Sequence, residues 1–206
     1  MDVQANLDLL PAMPIPLYAT TRIGTVTSDN GDTFALVVGL DENIVHQLKE
    51  RSLADDPELI QNTSDRKRYG EGSYEMWYAK GRIPFALIHG GDGALAALVT
   101  YGPKPLGRKS LKHLSAKELE SENVVAQGEW HTIAFRSYPP YRGIGIMKGF
   151  TKATMDMYVR YFPAAKLWLG IERKNIASVG LATKLGFTIN ESISDPAWVT
   201  MVKAGG

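Results

Sequence analysis

The pattern of apolar and polar positions changes period several times along the chain. Residues 17–27 and 33–40 are short β-rich runs, separated by Ser28-Asp29-Asn30-Gly31-Asp32, whose Asn-Gly pair signals a turn. From 41 to 53 the period becomes 3.6 through Ile44, Val45, Leu48 and Leu53, which predicts a helix. Residues 55–71 are polar and charged, with Pro57 placed for a helix start. Residues 74–80, 83–89 and 94–101 read as successive strands, punctuated by Gly81-Arg82 and by Gly90-Gly91-Asp92-Gly93. A further strand is expected over 124–137. Ile146, Phe150, Ala153, Met157 and Tyr161 then fall at spacings of three and four and predict a long amphipathic helix over 146–162. A strand over 165–171, a helix over 177–185 and strands over 187–189 and 198–202 complete the order. Residues 1–16, with Pro11, Pro14 and Pro16, read as an irregular lead-in. Residues 103–123, with the basic cluster Arg108, Lys109 and Lys112, read as an inserted loop with one helical turn. This order predicts an α/β (α+β) fold, a mixed sheet with helices on its faces, in a single domain over 1–206.

Composition narrows the chemistry. Apolar residues make up 44% of the 206 and charged residues 22%, an ordinary globular balance. The absence of cysteine excludes disulfides, thiolate metal sites and cysteine nucleophiles. The four histidines, His46, His89, His113 and His131, are too dispersed to suggest a metal cluster, and no metal is expected. No apolar run approaches a membrane span, and the first basic residue is Arg22, so a cytoplasmic protein without a membrane partner is the expectation. The net charge of +1 conceals an asymmetry: residues 1–100 carry 8 Lys/Arg against 14 Asp/Glu, and residues 101–206 carry 15 against 8. A basic C-terminal half suits an anionic small ligand, but the bias is too weak to imply nucleic acid.

The segment from His131 through Tyr138-Pro139-Pro140-Tyr141-Arg142-Gly143-Ile144-Gly145-Ile146-Met147-Lys148 predicts a strand, a tight Pro/Gly loop and the start of a long helix. The N–H groups of a helix N-terminus lack intrahelical partners and lie at the positive end of the dipole. Glycines let a phosphate approach them, so this arrangement is an anion cradle. It is not a dinucleotide fingerprint, because the third glycine of Gly-x-Gly-x-x-Gly would fall at Lys148.

Arg142-Gly143-Ile144-Gly145 resembles the pyrophosphate loop of the GNAT superfamily of acyl-CoA-dependent N-acetyltransferases, Gln/Arg-x-x-Gly-x-Gly/Ala, and Tyr138-Pro139-Pro140-Tyr141 is similar to its Pro-x-Tyr approach. Downstream, Asn175-Ile-Ala-Ser178-Val-Gly-Leu181-Ala182-Thr-Lys184-Leu185-Gly186-Phe187 is similar to the family's Asn-x-x-Ala-x-x-Leu-Tyr-x-Lys-Leu-Gly-Phe. The match covers residues 129–190. The resemblance implies a mostly antiparallel sheet whose central strand pair splays to bind acyl-CoA, with acetyl-CoA as the acyl donor. It implies that pantetheine lies along Phe135, Arg136 and Ser137, that Arg142, Gly143, Ile144, Gly145, Ile146, Met147 and Lys148 hold the pyrophosphate, and that Asn175 bonds the pantetheine arm. A helix N-cap accounts for Asn175 equally well. Two positions depart from the pattern. Met147 replaces a small residue, and Ala182 replaces the tyrosine that often reprotonates the departing thiolate.

Amine attack on a thioester needs a group that accepts a proton. Strand alternation places Glu129, His131, Ile133, Phe135 and Ser137 on one face. His131, eleven residues before Arg142, is similar in spacing to the carboxylate base of the histone-acetylating branch, with Glu129 beside it to assist or substitute. A packed strand histidine is the other reading of His131. The expected activity is transfer of an acetyl or other acyl group to a primary amine on a small molecule or peptide. The alternative is a non-catalytic acyl-CoA-binding or regulatory module of the same fold, favoured by Met147 and Ala182. For the acceptor, Asp55, Asp56, Glu58 and Asp65 are candidates to attract a cation, and Trp77, Tyr78 and Trp198 to wall an apolar pocket. The 103–123 insertion is a candidate for a homodimer interface or a cover over the site.

Overall fold

A computed structural model describes residues 1–108 and 128–203. Lys109, Lys112, the expected helical turn of the insertion and the expected strand start at 124 lie outside the described residues. The chain divides into two compact units, Met1–Arg51 with Ile83–Tyr101 and Ala134–Pro163, and Ser52–Arg82 with Gly102–Ile133 and Ala164–Gly206.

In the first unit β1 (Asp2–Ala5), β2 (Thr21–Thr27), β3 (Thr33–Val38), β4 (Ile83–His89) and β5 (Leu95–Pro103, which ends in the second unit) form successive antiparallel pairs. Leu95 to Val99 are fully buried, as befits a strand covered on both faces, and this explains why its sequence is a continuous apolar run rather than an alternation. The lead-in is not irregular throughout. Asp2–Ala5 pairs with β2 from Asp2↔Thr27 to Ala5↔Gly24, and Leu7–Leu9 forms a 3-10 turn. Four residues are too few for a period of two to stand out. Their strand depends on Gly24, where a Cβ would come within 2.3 Å of the Gln4 carbonyl oxygen.

Helix α1 (Glu42–Leu53) is capped by Asp41, whose Oδ1 accepts from the Ile44 N–H at 2.9 Å, and it buries Ile44 and Leu48. The long helix, labelled α4, runs Ile146–Tyr161, close to the expected span. Its buried stripe is Ile146, Phe150, Thr151, Thr154, Met155, Met157 and Tyr158, while Tyr161 is exposed. The stripe is rotated from the expected one because buried Tyr101 places its hydroxyl 3.0 Å from Thr154 Oγ1 and 3.4 Å from the Thr151 carbonyl oxygen. Two threonines therefore face inward where a hydropathy reading places solvent.

In the second unit α2 (Pro57–Asn62) starts with proline at its first position behind the Asp56 cap, and a π-helical turn follows at Arg66–Gly70. Residues 74–80, expected as a strand before a Gly81-Arg82 hairpin turn, instead contain α3 (Tyr74–Tyr78). Ser73 caps it by accepting from the Met76 N–H at 3.1 Å, and Tyr74 and Trp77, three apart, are its buried residues. With no β-branched residue in Tyr-Glu-Met-Trp-Tyr, the cap and the spacing of three outweigh the aromatic bias toward strands.

Strand β6 (Trp130–Ser137) enters from the second unit. It pairs with β7 (Lys166–Glu172) in parallel from Trp130↔Lys166 to Thr132↔Trp168. Helix α5 (Ile176–Lys184) follows. Strands β8 (Thr188–Ile189) and β9 (Trp198–Val202) close the order, with β9 antiparallel to both β7 and β8. The fold is thus the expected mixed α/β arrangement, a mostly antiparallel sheet flanked by helices with one parallel pair. Among the described residues no helix is long and apolar enough to cross a membrane.

Candidate functional site

The loop between β6 and α4 lies in the first unit. Gly143 and Gly145 sit in the left-handed region at φ +76° and +82°, and Gly145 is the N-cap of α4 with no side chain bonded to the helix end. Both glycines are exposed, and nothing lies within 4 Å of where a Cβ on Gly143 would be. A Cβ on Gly145 would meet the Asp29 carboxylate at 3.5 Å. The N–H groups of Ile146, Met147 and Lys148 thus open a 16-residue helix from an uncapped end, the geometry that favours an anion. Lys148 is exposed, Met147 and Ile144 are half-buried and Ile146 is buried. The Arg142 Nε donates to the Ser137 carbonyl at 2.9 Å. The groups that stand at the helix end are backbone donors.

Arg51, His89 and Asp92, for which the sequence suggested no role at the site, lie beside this loop. Arg51 of α1 donates to the Pro139 carbonyl at 2.9 Å and lies over the Tyr138 ring, 5.2 Å from its centre. Asp92, in the turn between β4 and β5, accepts from the Tyr141 hydroxyl at 3.2 and 3.3 Å. It also accepts from the Ala94 N–H at 3.0 Å and lies 2.7 Å from His89 Nδ1. The Ala94 N–H, then His89 and Tyr141, hold the Asp92 carboxyl below its ordinary range. The Tyr141 ring is buried edge-on to Phe34, with centres 5.6 Å apart, and against His89 at 5.1 Å. Arg51 stands in the last turn of α1 and His89 and Asp92 in the β4–β5 hairpin, so the sequence showed these elements and the Tyr138-Pro139-Pro140-Tyr141 approach but not their meeting.

Along β6, Phe135 and Ser137 are half-buried and Arg136 is buried. At the strand end the Tyr138 N–H donates to the Ala96 carbonyl at 2.9 Å. With Arg142 on the Ser137 carbonyl, part of the expected pantetheine edge is already engaged, although a carbonyl oxygen keeps a second lone pair.

The proton-acceptor candidates lie in the second unit. His131 is half-buried. Burial pushes its pKa below the ordinary value and the Arg82 charge acts the same way, against a hydrogen bond to the Gly128 backbone that raises it. Glu129 lies outside the strand, which begins at Trp130, and pairs with Lys166 at 2.5 Å. The Lys166 hydrogen bond and charge hold this exposed carboxylate below its ordinary range, which makes it a weaker base. Asn175 caps α5, its Oδ1 accepting from the Ser178 N–H at 3.1 Å. Ala182 is fully buried.

Several acceptor candidates have structural work of their own. Asp56 caps α2, and Asp65 is buried and paired with Arg68 at 3.3 Å. Trp77 is buried between Tyr69 and Tyr74. Trp198 lies against Gly170, where a Cβ would come within 2.5 to 2.8 Å of the indole. Asp55 and Glu58 are exposed and Tyr78 is half-buried, its hydroxyl pKa raised by burial.

No family sequence model matches the chain, and no curated protein matches it in sequence. Solved structures do match. The GNAT domain of S. lividans PAT superposes with a TM-score of 0.61 at 13% identity, covering 86% of this chain and 94% of that one. A putative GnaT-family acetyltransferase from Bordetella pertussis gives 0.56 at 16% identity, covering 87% and 99%. RimL, a ribosomal L7/L12 alpha-N-protein acetyltransferase in complex with coenzyme A, gives 0.55 at 16%, covering 81% and 92%. With the parallel β6–β7 pair and the glycine loop entering a long helix, this agreement establishes that the chain has the GNAT fold.

Proposed function

We propose that this protein is an acyl-CoA-dependent N-acyltransferase that moves an acetyl or other short acyl group to a primary amine. The observation that carries the reading is the uncapped N-terminus of α4 behind Gly143 and Gly145. It offers backbone N–H groups to a pyrophosphate, beside the Asp29 carboxylate that a Cβ on Gly145 would meet at 3.5 Å. Structures similar in fold include acetyltransferases, one of them in complex with coenzyme A. Ribosomal-protein and spermidine acetyltransferases are among them, which fits an amine acceptor on a peptide or a small molecule.

In this reading residues from Arg142 to Lys148 hold the pyrophosphate, and the main chain of Phe135, Arg136 and Ser137 orients the pantetheine. Asn175 keeps its amide N–H groups for the same arm while its oxygen caps α5. His131 takes the proton. Its lowered pKa keeps the ring neutral at pH 7, and the bond to Gly128 fixes its orientation. The amine nitrogen attacks the thioester carbonyl, the new C–N bond forms, the C–S bond breaks, and coenzyme A leaves as the thiolate, which takes a proton from water while His131 holds the proton from the amine. His131 is the stronger of the two base candidates because Lys166 lowers the basicity of Glu129.

The second reading, a non-catalytic acyl-CoA-binding module, draws on Ala182, which supplies no hydroxyl to protonate the leaving thiolate. One assay separates the two. Thiol release from acetyl-CoA is measured against a panel of polyamines and N-terminal peptides, for the wild type and for His131→Gln. The enzyme reading predicts amine-dependent release that falls by roughly 10²- to 10⁴-fold in His131→Gln. Tight acetyl-CoA binding with no release for any amine would establish the binding module instead.

A further inference from the structure

The anion loop contains two left-handed glycines, and Gly145 gives the helix it leads into no side-chain cap. Within the loop the Arg142 Nε donates to the Ser137 carbonyl and the Tyr141 N–H to the Tyr138 carbonyl at 2.8 Å. Further anchors come from elsewhere in the first unit. Gln47 and Arg51, four apart and therefore on one face of α1, divide the task. Gln47 fixes the β4–β5 turn by donating from Nε2 to the Gly93 carbonyl at 3.1 Å and accepting from the Leu95 N–H at 2.7 Å. Arg51 fixes the loop through the Pro139 carbonyl and the Tyr138 ring. Asp92 joins the two, held in the turn by the Ala94 N–H and His89 and accepting from the Tyr141 hydroxyl on both oxygens.

A carboxylate beside a loop that receives an anion repels the ligand directly. Asp92 is also largely exposed, so its ionisation costs little and does not need the loop. Its favourable contribution to anion binding can only pass through Tyr141, two residues before Gly143. Resting on the acyl-CoA reading above, we infer that Asp92, oriented by His89, is a positioning residue that sets coenzyme A affinity by bracing Tyr141 and hence the glycine loop.

The sign of one substitution tests this. If Asp92 acts only through its charge, Asp92→Ala relieves repulsion and tightens binding. If it braces the loop, Asp92→Ala weakens binding of coenzyme A by about fivefold to tenfold, the scale of one lost hydrogen bond of ordinary strength. Asp92→Asn, which keeps an acceptor oxygen for Tyr141, restores most of the loss. Tyr141→Phe, which keeps the buried ring and removes only the hydroxyl, reproduces it and carries the test if Asp92→Ala does not fold. The measurements are Kd by calorimetry and KM for acetyl-CoA against kcat, where the brace raises KM and leaves kcat within about twofold. Binding that is unchanged or tighter in Asp92→Ala and Tyr141→Phe, beside a wild type that binds, overturns the brace alone. A wild type that binds no coenzyme A overturns the acyl-CoA reading and the brace with it.

Discussion

At the scale of single residues, the proton acceptor is decided by environment. His131 and Glu129 have comparable claims from spacing, but one is half-buried beside Arg82 and the other is exposed beside Lys166. Burial, then the Arg82 charge, lowers the His131 pKa, so the folded protein resists charging the ring. The sign follows: the neutral, active form persists below the ordinary value of about 6.5. The acid limb of kcat/KM against pH should therefore fall at a pKa under that value, flat above it, and vanish in His131→Gln. A limb at or above the ordinary histidine value would remove His131 from the role. The same shift costs stability only as pH drops below about 6.5, where the unfolded chain binds the proton first.

Individual elements were legible where one period dominated and a cap or turn marked the end. β4 at Ile83–His89 and β9 at Trp198–Val202 match their expected bounds, and α4 starts at the expected Ile146. The failures share a cause, tertiary partners that a local pattern does not contain. α3 is read as a strand because aromatic residues suit both states, and the deciding bond is the Ser73 cap. The inward face of α4 is misplaced because Tyr101 draws Thr151 and Thr154 inside. At α5 the sequence left Asn175 between cap and ligand contact, and the structure shows the cap. The two roles use different atoms, the oxygen for the helix and the amide N–H groups for a ligand, so substitutions can part them. Asn175→Ala should cost about 1 kcal/mol of stability. Asn175→Asp should keep the cap, and thus the Tm, while weakening coenzyme A binding because the donors are gone. Unchanged binding in a stable Asn175→Asp protein would leave Asn175 as a cap alone.

At the scale of the whole molecule, fold class and the position of the glycine loop were readable because the loop and the Asn175 segment are contiguous in sequence. The brace around the loop was not, since Arg51, His89, Asp92 and Tyr141 meet only after the chain folds. The charge asymmetry between sequence halves also dissolves. Each compact unit takes segments from both halves, giving 8 Lys/Arg against 9 Asp/Glu in the first and 15 against 13 in the second. Neither unit carries a large net charge, and the proposed recognition of an anionic ligand rests on local backbone donors at the start of α4. Calorimetric titration of acetyl-CoA into the wild type and Gly145→Glu tests that claim most directly. At Gly145 any side chain is strained at φ +82°, and a carboxylate would stand at the helix end. Saturable one-to-one binding by the wild type and none by a folded Gly145→Glu protein is the expected result; equal binding by both, or none by the wild type, would remove the helix end from the site.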